Sequence, residues 1–124
     1  IWIYPNLQNL QPSYNQILIK NISGNNLIID CPKENNHGLF INQDISIWRC
    51  KYKLLKKNYL PKETKRFNWI QIIEGNLTIR DVNKKLNISL SSGDGLGFEI
   101  SKFSDIEIET DLMVDFLLFS MPNA

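Results

Sequence analysis

The fold of this chain is decided by residues 66–79, RFNWIQIIEGNLTI. Residues 69–73 place apolar side chains on both faces of an extended segment, which is typical of a strand buried in a barrel or sandwich. A glycine follows at position 75, and glycine allows the backbone to turn sharply. We therefore predict a strand, a hairpin turn at Gly75, and a returning strand over residues 77–79.

A second glycine-containing segment, SSGDGLGF, lies at residues 91–98. Asp94 stands between two glycines, which is typical of a turn whose carboxylate accepts hydrogen bonds from nearby backbone N–H groups. A strand, a turn, a returning strand and a Gly-Asp-Gly turn into another strand are the parts of a small antiparallel barrel.

Short apolar segments recur along the rest of the chain, and none has a clear helical periodicity. Ile106 and Ile108 alternate with glutamates, which predicts a strand with one face in water. Residues 113–121 are almost continuously apolar, which predicts a strand buried on both faces. We expect about eight to ten strands and little or no helix, hence an all-β jelly roll or barrel. The other predicted strands cover residues 1–5, 27–31, 39–42, 45–52, 86–90 and 96–100. Residues 54–59 could be an exposed strand edge, and residues 17–22 could be a short strand or one helical turn.

The composition fits one packed domain of ordinary size. The chain has 124 residues, 43% of them apolar, and 14 basic residues nearly balance 13 acidic ones to give a net charge of +1. Such a chain buries enough surface to hold a core without a disulfide or metal. A duplex-binding face needs a surplus of Lys and Arg, so we expect no nucleic-acid partner. The lysines and tyrosines of residues 51–59 are more simply a basic strand edge in water.

The cysteine and histidine content excludes most metal and nucleophilic sites. A structural zinc ion needs three or four ligands, and the chain has two cysteines and one histidine. Cys31 and His37 could form a nucleophile pair on paper, but a loop histidine near a strand-end thiol is the simpler interpretation. Cys50 is most simply interpreted as a small core residue. No apolar run is long enough to span a membrane and no signal peptide is visible, so we expect a cytoplasmic protein without a membrane partner.

Six segments of the chain, in order, resemble a known family. The chain is similar to the cupins, small jelly-roll barrels whose first signature segment ends in a glycine and whose second opens with Gly-Asp. More specifically, it looks like the C-terminal cupin of pirin-like proteins, two-cupin proteins that include bacterial quercetin 2,3-dioxygenases. The matching segments are IWIYP (1–5), PSY (12–14), INQDISIWRCKYKL (41–54), WIQIIEGNLTI (69–79), SSGDGLGF (91–98) and VDFLLFSMP (114–122).

The resemblance implies a domain division. Residues 1–16 would be the strand and linker that leave a preceding N-terminal cupin absent from this chain. Residues 17–124 would be the C-terminal cupin domain. The partner of the domain would then be the N-terminal cupin of the same parent chain, or a neighbouring subunit.

The resemblance also allows each metal-ligand position to be checked. A metal-binding cupin carries two histidines, a glutamate seven positions before the glycine, and a third histidine after the second Gly-Asp; such ligands suit a divalent transition metal. Counted from Gly75, the glutamate position is Asn68. The two histidines fall at Pro61 and Glu63, or at Lys62 and Thr64 with shorter spacing. Counted from Gly93, the third histidine position is Ser104. We therefore expect vacated ligand positions, no metal or other cofactor, and no catalytic residue in this chain.

The direction of the first signature strand predicts a contact surface. If Asn68 points into the barrel, Ile70 and Ile72 point inward too, and Trp69 and Ile73 point outward. Large apolar side chains on a central strand gain about 2–3 kcal/mol each when fully buried. We therefore expect Trp69 and Ile73 to lie under a neighbouring segment or domain.

Two functions from different classes follow from the resemblance. One is a non-catalytic, metal-free cupin that structurally completes a pirin-like protein. The other is part of a quercetin 2,3-dioxygenase-type oxidoreductase whose metal site lies in the missing N-terminal cupin. A third, a small-molecule-binding barrel, needs an empty interior, which inward-facing Ile70 and Ile72 disfavour.

Overall fold

The computed structural model describes residues 1–19, 23–30, 39–55, 58–60, 66–81, 83, 85–99 and 106–123 of the 124. The described residues form strands, turns and extended segments, with no helix among them. The all-β prediction is confirmed. The nine strands are β1 (Gly24–Asp30), β2 (Leu39–Phe40), β3 (Ser46–Lys53), β4 (Asn58–Tyr59), β5 (Arg66–Asp81), β6 (Leu86–Ser91), β7 (Gly95–Glu99), β8 (Ile106–Glu109) and β9 (Met113–Pro122).

The strands form two sheets that share β5. The larger sheet has the order β2-β1-β3-β9-β5-β7, and the smaller has the order β6-β5-β8-β4. All pairs are antiparallel except the short parallel pair β1–β2. The last strand of the chain, β9, lies between β3 and β5 at the centre of the large sheet. This is a cupin-type jelly roll.

β5 corrects the hairpin that the sequence predicts at Gly75. The chain does not turn back there, because Arg66–Asp81 is one continuous strand of 16 residues. The strand bulges where its register against β9 shifts between Ile72 and Glu74, and it bends from the large sheet into the small one. Gly75 has φ +86°, and a Cβ there would collide with the backbone carbonyl of Met113. The glycine therefore serves a bend between sheets, since only a residue without Cβ fits.

The core lies between the two sheets. The large sheet contributes alternate residues of β3, β5 and β9 to the core. The small sheet contributes residues of β5, β6 and β8. The main cluster comprises Cys50, Leu60, Ile70, Ile72, Leu77, Ile79, Leu90, Ile106, Ile108, Val114, Phe116 and Leu118. Cys50 is fully buried with a free thiol, as the sequence predicts.

Residues 1–5 and residues 54–59 differ from the strands that the sequence suggests. Residues 1–5 contain no strand, although Asn6 N–H donates to the carbonyl of Asn42 at 2.7 Å and Gln43 Nε2 donates to that of Tyr4 at 2.9 Å. These two hydrogen bonds join the N-terminal segment to the domain, but they do not form a β-ladder. In the segment 54–59, residues 58–59 form β4, whereas Leu54, with φ +49°, and Leu55 lie outside any strand, so β3 ends at Lys53.

The Gly-Asp-Gly turn is confirmed. The Asp94 carboxylate accepts hydrogen bonds from Ser91 N–H at 2.9 Å and from the Ser91 hydroxyl at 3.2 Å. Across the turn, Gly93 N–H donates to the Ile72 carbonyl, and Ile72 N–H donates to that of Asp94. The turn is thereby fixed to β5. Among the described residues, no helix is long and apolar enough to cross a membrane.

Candidate functional site

Alternate residues of β5 face the core and the outside, as the sequence predicts. Asn68, Ile70 and Ile72 are at most 2% exposed, whereas Trp69 is 38% and Ile73 is 47% exposed. The two functional surfaces to consider are therefore the inner end of the barrel around Asn68 and the outer face around Trp69.

Asn68, the residue at which the cupin resemblance predicts the metal-binding glutamate, is hydrogen-bonded within the protein. Its side-chain Nδ2 donates to the backbone carbonyl of Arg66 at 3.1 Å. Its cross-strand neighbours are Ser120 on β9 and Phe98 on β7. Ser120 is also buried. The residues paired with Asn68 across the sheet therefore supply a hydroxyl and an aromatic group.

The Arg66 guanidinium, two residues before Asn68 on the same strand face, ties three segments together. Its Nε donates to the Ser120 hydroxyl at 2.8 Å, and its Nη1 forms an ion pair with the Asp44 carboxylate at 3.0 Å. Its Nη2 donates to the backbone carbonyls of Asp44 and Ser120 at 3.2 and 3.1 Å. A fixed cation therefore lies on the same strand face as Asn68. These contacts of Arg66 are not evident from the sequence, although the i, i+2 spacing to Asn68 places Arg66 on the inner face.

The remaining ligand positions lie outside the described residues: Pro61, Glu63 and Ser104, together with Lys62 and Thr64 of the shorter spacing. Cys31 and His37 lie outside them as well. Within the described ranges, no group of three His, Cys, Asp or Glu side chains could hold a metal ion. An amide at position 68 beside a guanidinium does not fit a divalent metal, which prefers carboxylate and imidazole ligands.

The inner space below Asn68 is filled by apolar side chains. Phe116 and Leu118 of β9 pack there with Ile70 and Ile72 of β5. The Tyr52 ring packs against Phe116 with centroids 6.4 Å apart, and its hydroxyl bonds to Asn25. Burial raises the pKa of Cys50 to about 12 and that of Tyr52 to about 12. Both groups are therefore inert, neutral core components near neutral pH.

The outer face of the large sheet is apolar. Ile47, Phe119, Trp69 and Gly97 are consecutive cross-strand neighbours on β3, β9, β5 and β7. We call the surface formed by Ile45, Ile47, Trp69, Leu117, Phe119 and Met121 the outer apolar face. Ile45, Ile47 and Phe119 form a second buried cluster, against which Ile3, Leu117 and Met121 pack.

Trp69 lies flat along β7 because β7 presents glycines to it. A Cβ at Gly97 would stand 2.7 Å from Cζ of Phe67 and 3.1 Å from Cε3 of Trp69, and a Cβ at Gly95 would overlap the Trp69 ring. The indole Nε1 donates to Gln71 Oε1 at 3.3 Å. Gln71 Nε2 in turn lies 3.1 and 3.2 Å from the carbonyl oxygens of Gly93 and Asp94. The ring orientation is thus fixed by packing and by a hydrogen-bonded neighbour.

An ion pair borders the outer apolar face. Arg49 bonds Asp115 through two contacts, Nε–Oδ1 at 3.2 Å and Nη2–Oδ2 at 2.8 Å. The Asp115 side chain is 5% exposed and that of Arg49 is 33% exposed. The hydrogen bond to Asp115 raises the pKa of Arg49. Since the pair is neutral as a unit, it leaves no net charge at the border of the face.

The outer face of the small sheet is different in character. Arg80 makes a two-contact ion pair with Glu109 there, and Thr78 lies beside the pair on the same face. A separate cleft of about 190 Å³ opens between β6 and β7, lined by Ile88, Leu96 and Phe98 among others. The outer face of the small sheet is therefore polar at this ion pair, unlike that of the large sheet.

Comparison with known proteins assigns the family. Residues 28–121 match the family model described as the quercetinase C-terminal cupin domain. The chain belongs to this quercetinase C-terminal cupin family. The family resemblance predicted from the sequence is confirmed.

Known relatives of this quercetinase C-terminal cupin are about twice its length. A quercetin 2,3-dioxygenase of Escherichia coli O157:H7 is 29% identical over 124 residues, covering 98% of the chain and 49% of the relative. The crystal structure of YhhW from Escherichia coli matches with a TM-score of 0.82 and 26% identity, over 99% of this chain and 49% of that one. Bacterial pirin YhhW in complex with nickel(II) matches with a TM-score of 0.78 and 26% identity, over 97% and 48% of the two chains. The cupin thus spans about half the length of these relatives.

Proposed function

We propose that this chain is a non-catalytic, metal-free cupin domain that structurally completes a two-cupin, pirin-like protein. The observation that carries the proposal is the buried amide of Asn68 at the position of the glutamate ligand. A neutral amide attracts a divalent cation far less than a carboxylate does, and the adjacent Arg66 guanidinium repels one. The apolar packing of Ile70, Ile72 and Phe116 below it supports a structural role for the interior.

The proposed partner is the preceding cupin of the same parent chain. Support comes from relatives about twice as long as this chain and from the exposed apolar side chains of Trp69 and Ile73. Contiguous exposed apolar surface on a soluble domain is typical of an interaction site. We propose that Trp69 and Ile73 contact that preceding domain. The buried free thiol of Cys50 fits a reducing compartment such as the cytoplasm.

A second function is favoured by the names of the relatives. A quercetin 2,3-dioxygenase is 29% identical to the chain over 98% of its length. The parent protein would then be an oxidoreductase of that type, with the divalent metal held by the N-terminal cupin. In this case the present domain contributes no ligand and acts by holding its neighbour in place.

Metal analysis of the purified 124-residue chain tests the metal-free proposal. The tag-free chain is incubated with Fe(II), Mn(II), Ni(II) or Cu(II), separated from free metal, and measured by mass spectrometry. We expect far less than one ion per chain for each metal. Stoichiometric, tightly held metal would overturn the proposal. The variants Asn68→Ala and His37→Ala then show whether any bound ion depends on the barrel position or on the lone histidine.

A further inference from the structure

The outer apolar face lines an open cleft. Residues 1–3 line the same cleft, together with Trp69 and Phe119. The cleft has a volume of about 310 Å³. A cavity of about 150 Å³ admits a benzene-sized molecule, so this cleft has room for about two ring-sized groups.

The lining of the cleft carries exposed aromatic surface. Trp2 is 92% exposed and Ile1 is also largely exposed, while Trp69 retains more than a third of its surface. Exposed apolar surface from residues 1–3 and from the sheet favours an occupant that covers both at once, because each gains from the same inserted group. Gln71 adds a polar group to the lining.

Trp69 is held in one orientation before any partner arrives. Its ring rests on the strand that carries Gly95 and Gly97, and its Nε1–H is bound by Gln71. Gln71 is itself bound to the carbonyls of the Gly93–Asp94 turn. Tryptophan is enriched among residues that dominate binding energy, and a fixed side chain loses less entropy on binding.

We propose that Trp69 is a pre-oriented docking anchor and that the preceding domain inserts large apolar side chains into the cleft between Trp69 and residues 1–3. The inference rests on the function proposed above. The second cupin signature turn, Gly93-Asp94-Gly95, here positions Trp69 through Gln71. The occupant is the preceding half of the parent protein because its chain would reach Ile1 at the rim of the cleft. That connection gives the occupant a high effective concentration at this surface.

Thiol labelling of the intact parent protein tests this inference. Met121 lines the cleft, whereas Ser89 is exposed on β6, so Met121→Cys reports the cleft and Ser89→Cys reports free surface. Labelling at each site is followed by peptide mass spectrometry. We expect the Cys at 121 to label at least about a hundredfold more slowly than the Cys at 89, as for a face covered 99% of the time.

Variants that release Trp69 separate this inference from the proposed docking. Gln71→Ala and Gly95→Ala should each speed labelling at position 121 by about five- to thirty-fold, the range for a loss of 1–2 kcal/mol. Neither should change labelling at position 89, and Lys53→Ala is the matched control that should change neither rate. If position 121 is protected but Gln71→Ala and Gly95→Ala leave its rate unaltered, the anchor proposal is wrong and docking stands. If position 121 labels as fast as position 89 in the otherwise unaltered protein, both proposals are wrong.

Discussion

The Trp69 indole ring occupies the space in which a side chain at Gly95 would have to lie. An ideal Cβ at Gly95 would stand 3.0 Å from Cε2 of the ring and 3.1 Å from Oε1 of Gln71. A rigid ring cannot move aside as the end of a flexible side chain can, so the Trp69 ring on β5 requires glycine at position 95 of β7. The residue at position 95 therefore depends on the residue at position 69.

Gly95→Ala should therefore destabilise the domain by about 1–3 kcal/mol, the usual cost of overpacking. Urea unfolding measures the change. In the background Trp69→Ala, where the ring is gone, the same substitution should cost much less. An undiminished cost in that background would mean that the ring is not the cause.

Gly75 and Gly93 provide a matched pair of substitutions. Both have left-handed backbones, with φ +86° and +88°, but a Cβ at Gly75 would meet Met113 whereas a Cβ at Gly93 would meet open space. Gly93→Ala should cost about 1–2 kcal/mol, from backbone strain alone. Gly75→Ala should add the collision and cost clearly more, or prevent folding. Equal unfolding free energies for the two variants would show that a Cβ at position 75 does not collide with Met113.

The Arg49–Asp115 pair should respond unequally to loss of either partner. Removing Arg49 leaves a nearly buried carboxylate without its cation, whereas removing the carboxylate leaves a guanidinium that water reaches. Arg49→Ala should cost toward the lower end of the ~3–5 kcal/mol typical of a broken buried pair. Asp115→Asn should cost less. Denaturant unfolding of both single variants and the double variant measures the difference, and the reverse order would refute the assignment.

The domain should lose stability at alkaline pH. The pKa of Cys50 is raised from 9.0 to about 12, and that of Tyr52 from 10.0 to about 12, so the folded state keeps protons that the unfolded chain releases. This stabilisation is fully present below pH 9 and declines as the pH rises toward 12. The slope should approach ~1.4 kcal/mol per pH unit for each proton involved. Urea unfolding between pH 8 and 11 should show a smaller slope in Cys50→Ala and in Tyr52→Phe; an identical slope in both would contradict the prediction.

Arg66 should matter more than Arg80, whose partner lies on the outer face of the small sheet. Arg66→Met removes hydrogen bonds to Asp44 and Ser120 at the barrel end, and a hydrogen bond to a charged group contributes about 1.5–3 kcal/mol. Arg80→Met removes a half-buried pair with Glu109 that water still reaches, and pairs within reach of water contribute little. Thermal and urea unfolding of the two variants give the comparison. Similar losses would argue against Arg66 as the residue that closes this end.

Much of the fold could be predicted because its pattern is local. The inward direction of Asn68 and the outward direction of Trp69 follow from two-residue periodicity, and the Asp94 turn follows from its neighbouring glycines. The hairpin at Gly75 was wrong for a non-local reason. A glycine with positive φ suits a hairpin and a bend between sheets equally well, and only the pairing of residues 66–75 with β9 decides between them.

The inward position of Asn68 in the candidate site could be predicted from the sequence, but the contacts of the site could not. The counting from Gly75 identifies Asn68, but the Arg66 guanidinium contacts Asp44 and Ser120, which lie 22 and 54 residues away along the chain. Likewise, the fit of Trp69 against Gly95 depends on the register of β5 against β7. Contacts between residues this far apart along the chain depend on the complete strand topology, which cannot be inferred from a short stretch of sequence.

The central place of β9 in the large sheet has a consequence for synthesis on the ribosome. The strand that separates β3 from β5 is the last of the nine to be made, so a nascent chain that stops short of residue 113 exposes two strand edges that have no partner. Unpaired edges are sites of aggregation. The large sheet therefore cannot be completed until residues 113–122 have been synthesised.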